Sequence, residues 1–151
     1  MTPLTHRSPV PIDRCNLVKA IDIVGDRWTL LILRSALFGL RRFDDFQREL
    51  SVPRTVLSGR LKALTEAGLL DKQSYKVEGR RPRPEYILTP QGEALQPILM
   101  ALMQWGDAWL GDGPAPMNLT QKTSRGPVEL GFVDETGRAV GADNVRIAIK
   151  R

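Results

Sequence analysis

Four times between residues 15 and 68, an apolar pattern of helical period is cut short by a Gly or a Pro: at Gly25, Gly39, Pro53 and Gly68. Gly accepts the left-handed conformation that closes a helix, and Pro starts one because it lacks the N–H that the first turn leaves unpaired. This punctuation predicts four short helices. The first runs from Asn16 through Leu17, Ala20, Ile21 and Val24, and the second follows an N-cap at Asp26 with Trp28, Leu31, Ile32, Ser35 and Ala36. The third covers residues 43–50, with Phe43, Phe46 and Leu50 on one side. Ser51-Val52-Pro53 makes a tight turn into the fourth, through residue 67, whose Leu57, Leu61 and Leu64 are spaced four and three apart.

The pattern then changes. Residues 69–76 and 85–89 carry Tyr75, Tyr86, Ile87 and Leu88 and flank VEGRRPRP, which predicts a β-hairpin with a long basic tip. Thr89-Pro90, an N-cap followed by Pro, opens a fifth helix to about residue 110, bent at Pro97. GDGPAP at residues 111–116 is a linker, and residues 128–133 and 144–150 alternate as strands around the turn DETG. The expected class is α+β, mainly helical. Its expected parts are a Pro-rich arm (residues 1–13), a domain (14–110), the linker and a small β-rich extension (117–151).

Of the 151 residues, 42% are hydrophobic and 26% charged, the balance of a soluble globular chain long enough for one core and a short appendage. The only Cys is Cys15 and the only His is His6, so a zinc site of Cys and His lacks ligands and no disulfide forms within the chain. No metal or cofactor is expected. Asp44 and Asp45 are adjacent and diverge, and GDGPAP lacks the Gly-Lys-Ser/Thr of a phosphate loop, which argues against an enzyme. No apolar stretch approaches the roughly 20 residues of a membrane helix. The start of the chain has three prolines and no apolar run, so a cytoplasmic location is expected.

Lys and Arg number 22 against 17 Asp and Glu, a net charge of +5. From residue 54 to residue 83 stand eight basic residues (Arg54, Arg60, Lys62, Lys72, Lys76, Arg80, Arg81, Arg83) and three acidic ones, an excess equal to that of the whole chain. On the fourth helix, Thr55, Gly59, Lys62 and Glu66 lie opposite the Leu stripe, flanked by Ser58, Thr65 and Arg54. Small and hydrogen-bonding residues on such a face suit a helix entering the DNA major groove, with Arg54, Thr55, Ser58 and Lys62 reaching base edges or phosphates. Arg60 lies nearer the core side. Arg80, Arg81 and Arg83, in a Pro-containing loop, suit a phosphate backbone or a minor groove. The bland alternative is a solvated charged surface.

The order of helices, basic helix, hairpin and helix resembles the winged helix-turn-helix. Cys15, VGDRWTLLILRSALFGLRRFDDFQREL, VPRTVLSGRLKALTEAGLL and RPEYILTPQGEALQPILMALMQW resemble the HxlR-type family of bacterial transcriptional regulators, over roughly residues 15–109. The resemblance implies a homodimer that binds double-stranded DNA, with repression the expected sign, residues 54–67 as recognition helix, the hairpin as wing and a long C-terminal helix for dimerisation. Asn16 follows Cys15 where the family often has Pro, and the tail lacks the paired cysteines of some longer relatives.

Residues 94–106 contain no charged residue, which independently favours a partner chain over burial within so small a domain. Cys15, beside Arg14 and Lys19, matches a cysteine that senses electrophiles or oxidants in several relatives; a lone Cys is also a common small core residue. A small-molecule effector held by Met100, Met103, Trp105 and Trp109 is the competing trigger, and core packing accounts for those residues equally well. The rival function is a winged-helix module that binds protein instead of DNA, which would have little reason to keep a concentrated positive surface.

Overall fold

The computed structural model describes residues 10–148. Helices α1 (Asn16–Val24), α2 (Arg27–Leu37), α3 (Phe43–Leu50) and α4 (Arg54–Glu66) lead into an antiparallel hairpin of β1 (Leu70–Tyr75) and β2 (Arg83–Leu88). A one-turn helix α5 (Pro90–Glu93), helix α6 (Gln96–Trp109) and a two-residue hairpin, β3 (Phe132–Val133) with β4 (Ala139–Val140), complete the order. The fold is mainly helical α+β, as expected.

The chain divides into two compact units, residues 12–99 and residues 100–148 with 10–11, and the boundary falls inside α6 rather than at the Gly-Pro stretch 111–116. The core of the first unit is built from the predicted stripes. Ile32 and Leu33 of α2, Phe46 of α3, and Leu57, Leu61 and Leu64 of α4 are fully buried, with Val52 and Leu70 closing the ends. Each such side chain contributes about 1.5–3 kcal/mol relative to exposure.

The caps explain where the helices begin. Asp26 Oδ1 accepts from the backbone N–H of Trp28 (3.1 Å) and of Thr29 (3.2 Å), satisfying two of the four unpaired donors at the start of α2. The same oxygen lies 3.3 Å from Arg60 Nε, so one carboxylate ties α2 to α4. Gly39 and Gly68 take the left-handed backbone (φ +96° and +75°) after α2 and α4. Ser51 does so after α3, at φ 50°.

The hairpin is fixed at its base. Thr89 Oγ1 donates to the Gly68 carbonyl (2.6 Å) and accepts from Gly92 N–H (3.1 Å), while Thr89 N–H donates to the Leu69 carbonyl (3.1 Å). Gly92 is buried against that carbonyl, and a Cβ there would collide with it and come within 2.9 Å of Leu88 Cδ2. On its other edge β2 meets the loop before α3: Tyr86 N–H donates to the Arg41 carbonyl (2.8 Å), and Arg42 bridges to Glu85.

Three expectations need correction. The fifth helix is two, because the chain turns at Ala94-Leu95 and Pro97 falls in the first turn of α6, where its missing N–H costs nothing. In the extension the turn DETG is present but its second strand is Ala139–Val140. Residues 142–144 form a 3-10 turn and 145–148 form no strand, while 149–150 of the expected strand lie outside the described residues. Asp134 closes this hairpin by accepting from Thr136 Oγ1, Thr136 N–H and Arg138 N–H, bonds that hold its carboxyl below its ordinary range, the Thr136 hydroxyl most strongly. Finally, residues 12–14 form a 3-10 turn rather than loose arm; residues 1–9, with Pro3, His6 and Pro9, lie outside the described residues.

Asp26 supplies a test of this architecture. Burial raises its pKa, but the Thr29 hydroxyl, Thr29 N–H, Arg60 and Trp28 N–H together outweigh burial and hold it below the model-peptide value of 3.8. A depressed carboxylate stabilises the fold above its unfolded pKa, and that stabilisation fades as pH falls through the folded value. Asp26→Ala is expected to cost about 1–2 kcal/mol at pH 7 by denaturant unfolding, with the difference from wild type shrinking below about pH 4.

Candidate nucleic-acid interface

The face of α4 opposite its Leu stripe is open. Arg54, Thr55, Ser58, Gly59, Lys62 and Glu66 are all exposed. Lys62 Nζ lies 3.8 Å from Glu66 Oε1, a solvent-exposed pair one turn apart of little energetic weight. Arg60 is turned to the side, on Asp26, as its position on the helix predicted.

Gly59 sits in the middle of this face with nothing within 4 Å of where a Cβ would project. A Gly inside an exposed helix weakens it relative to Ala, and here neither a positive φ nor a close neighbour requires one. The space it leaves is on the outside, where another molecule's backbone can approach.

A groove of about 580 Å³ runs between the hairpin, α3 and the start of α4. Six arginines line it: Arg42, Arg48, Arg54, Arg80, Arg81 and Arg83, against Asp44 and Asp45. Asp44 gathers two of them, with Oδ2 3.1 Å from Arg83 Nη1 and Oδ1 3.8 Å from Arg54 Nη1. Arg54 Nη1 also donates to Gln47 Oε1 (3.0 Å), and its guanidinium lies 4.9 Å from the centre of the Phe43 ring. Arg42 stacks at 4.3 Å over Tyr75 and pairs with Glu85 at 3.6 Å. Arg80 and Arg81, on the turn that Gly79 closes with φ +74°, have no ion pair among the described residues.

Arg54, Arg80, Arg81 and Arg83 are thus brought to one groove, while Thr55, Ser58 and Lys62 share the open face of α4. Arg42 and Arg48 belong to the groove as well, although both lie outside the basic stretch 54–83. In the sequence only Arg42 is marked, by the basic pair Arg41-Arg42 beside the aromatic Phe43. Cys15 is half-buried at the N-cap of α1 and makes no side-chain cap bond. Met100 and Met103 line a separate cavity in the C-terminal unit, whereas Trp105 and Trp109 do not line it and are exposed.

An open polar helix face beside an arginine-lined groove can hold a stiff polyanion across both. The family pattern described as HxlR-like helix-turn-helix matches residues 23–113, from the end of α1 through α6. The chain belongs to that family. A transcriptional regulator of the helix-turn-helix type from Mycobacterium tuberculosis, Rv3095, is 47% identical over 107 residues, 70% of this chain and 66% of that protein. The match therefore spans just under two thirds of the relative's length.

The solved structure of PA1607, described as a candidate transcription factor, aligns with a TM-score of 0.75 at 32% identity over 90% of this chain and 95% of its own. The redox regulator HypR in its reduced form aligns at 0.56 with 26% identity, covering 62% of this chain and 92% of its own. The chain thus shares its fold with proteins described as a transcription factor and a redox regulator. Among its described residues, no helix is long and apolar enough to cross a membrane.

For Gly59 the energetics give a definite sign. Gly59→Ala is expected to stabilise the fold by about 0.5–1 kcal/mol, read as a raised unfolding midpoint in urea, because the methyl meets no neighbour.

Proposed function

We propose that the chain is a sequence-specific DNA-binding repressor that acts as a homodimer, with α4 in the major groove and the β1–β2 hairpin as a wing on the adjacent backbone. The observation that carries this reading is the six-arginine groove adjoining an exposed α4 face made of small, hydroxyl and basic residues. Arg54, Thr55, Ser58 and Lys62 take the reading or positioning roles on the major groove, and Arg80, Arg81 and Arg83 those on phosphates or the minor groove. Phosphate contacts supply salt-dependent affinity; base-edge contacts supply sequence preference. The protein acts by binding rather than by catalysis.

The second copy is proposed from α6. Leu102, Trp105 and Trp109, three and four residues apart, form one stripe of that helix and are 51%, 56% and 75% exposed. Leu17 and Ile21 of α1, four apart, are exposed as well. Apolar faces of this kind mark association surfaces, and a second copy of the same chain is the occupant a two-fold DNA site requires. Cys15 is the proposed thiol of a redox signal, a reading supported by the similarity to a redox regulator.

The test is selection of genomic fragments on the purified chain, followed by titration of the recovered DNA at several salt concentrations. Lys62→Ala is expected to lose about 1–3 kcal/mol of preference for the selected site. Arg80→Glu with Arg81→Glu should weaken binding to all sequences and flatten the salt dependence by about one unit per lost phosphate contact. Gly59→Ala should lose affinity while gaining stability. Unchanged affinity in all three variants overturns the assigned face.

Dimerisation is read by sedimentation. Trp105→Glu with Trp109→Glu is expected to give a monomer that retains its helical content and loses affinity for a two-fold site. A dimer that persists in this variant assigns the interface elsewhere.

A further inference from the structure

The C-terminal unit contains an open cavity of about 700 Å³, with Met100 buried at its floor and most of its other lining side chains exposed. One wall is α6, and the other is the chain that follows it, residues 115–129. The two walls are joined by Gln104, whose side-chain amide takes the part of a strand. Its Nε2 donates to the Leu130 carbonyl (3.3 Å) and its Oε1 accepts from Leu130 N–H (3.1 Å).

The lining is selective in composition. The chain has four methionines, and all three beyond the first residue, Met100, Met103 and Met117, line this one cavity. Methionine is flexible and polarizable, and its clustering suits an apolar ligand surface that adapts to its occupant. The charged groups are equally distinctive. Asp107, Glu129 and Arg125 line the same cavity, and none of them has an ion pair among the described residues. On a chain of net charge +5 they leave the cavity with a net charge of −1.

Arg125 adds an independent observation. It occupies the left-handed region at φ 59° although it is not Gly, in the turn where Gln121 N–H donates to the Gly126 carbonyl (2.9 Å) and Arg125 N–H to the Gln121 carbonyl (3.0 Å). Such a backbone is unfavourable for a long side chain. The strain is tied to the one residue that brings a guanidinium to the cavity.

We infer that this cavity is a binding site for a small apolar organic cation that also carries a hydrogen-bond acceptor. Its apolar body lies on the three methionines, its positive charge faces Asp107 and Glu129, and Arg125 donates to its acceptor. Binding is independent of DNA; its use as a signal to the DNA-binding unit rests on the function proposed above.

The probe is rhodamine 6G, a lipophilic cation with an ester carbonyl, titrated by fluorescence anisotropy against the full chain without DNA. Fluorescein, an anionic dye of the same xanthene type, is the control. Saturable binding of one rhodamine 6G per chain is expected, at least about ten-fold tighter than fluorescein. Asp107→Asn with Glu129→Gln should weaken it about ten-fold. Ala115→Trp, at an exposed position on the cavity wall, should abolish it without changing the unfolding midpoint. The inference is overturned by the absence of saturable binding, by equal affinity for the two dyes, by indifference to the charge-neutralised pair, or by binding that survives Ala115→Trp. A DNA titration of the same preparation separates the two readings, because loss of one interaction leaves the other measurable.

Discussion

One carboxylate oxygen ties the start of α2 to α4, the helix on which the interface depends. Asp26 Oδ1 caps α2 through two backbone N–H groups and holds Arg60 of α4 at 3.3 Å. Leu57, Leu61 and Leu64 decide which side of α4 is buried, and the Arg60 contact at the edge of that stripe adds a directional restraint. With the stripe against the core, the helical period carries Thr55, Ser58, Gly59 and Lys62 to the outside as a set. The orientation of the exposed face thus follows from the leucine spacing, and the cap of α2 joins it at Arg60.

The groove shows a second use of a carboxylate. Asp44 draws together Arg54 from α4 and Arg83 from the hairpin, two cations that would otherwise repel each other across the groove. It holds them in a forked arrangement of the kind a phosphate also satisfies. Both pairs are more than half exposed, so they contribute little to stability. Their effect is to limit the conformations of two long side chains. In the proposed complex, a DNA phosphate takes over part of a coordination that already exists, which lowers the entropy lost on binding. Arg80 and Arg81 have no such partners among the described residues, so nothing in the groove restricts their side chains in the same way.

Much of this was legible because local rules and tertiary packing agree. Gly and Pro punctuation gave the four helices, the leucine spacing gave the buried face of α4, and Asp26 and Thr89 gave their caps. The failures have physical reasons. Pro97 in an apolar run reads as a kink, yet the chain turns two residues earlier, and Pro is then an ordinary first-turn residue. In the extension, alternation over 144–150 predicts the second strand, but the Asp134 turn brings Ala139–Val140 opposite Phe132–Val133 and so decides the pairing. The contributions of Arg48 to the groove, and of Met117 to the cavity, are contacts between segments distant in sequence, and no local pattern encodes them.

The positions where local preference is violated point most directly outward. Gly59 weakens an exposed helix without serving its own fold, Trp105 and Trp109 expose large apolar surfaces beside Leu102, and Arg125 adopts a backbone that Gly would take more easily. A sequence shaped only for folding would place Ala, polar residues and Gly at these sites in turn. Each departure has a different proposed partner: a close-approaching DNA backbone, a second copy of the chain, and the acceptor group of an apolar organic cation. The three lie on α4, on α6 and on the loop after it, so the costs fall on separate elements and leave the buried core of the first unit with its local preferences intact.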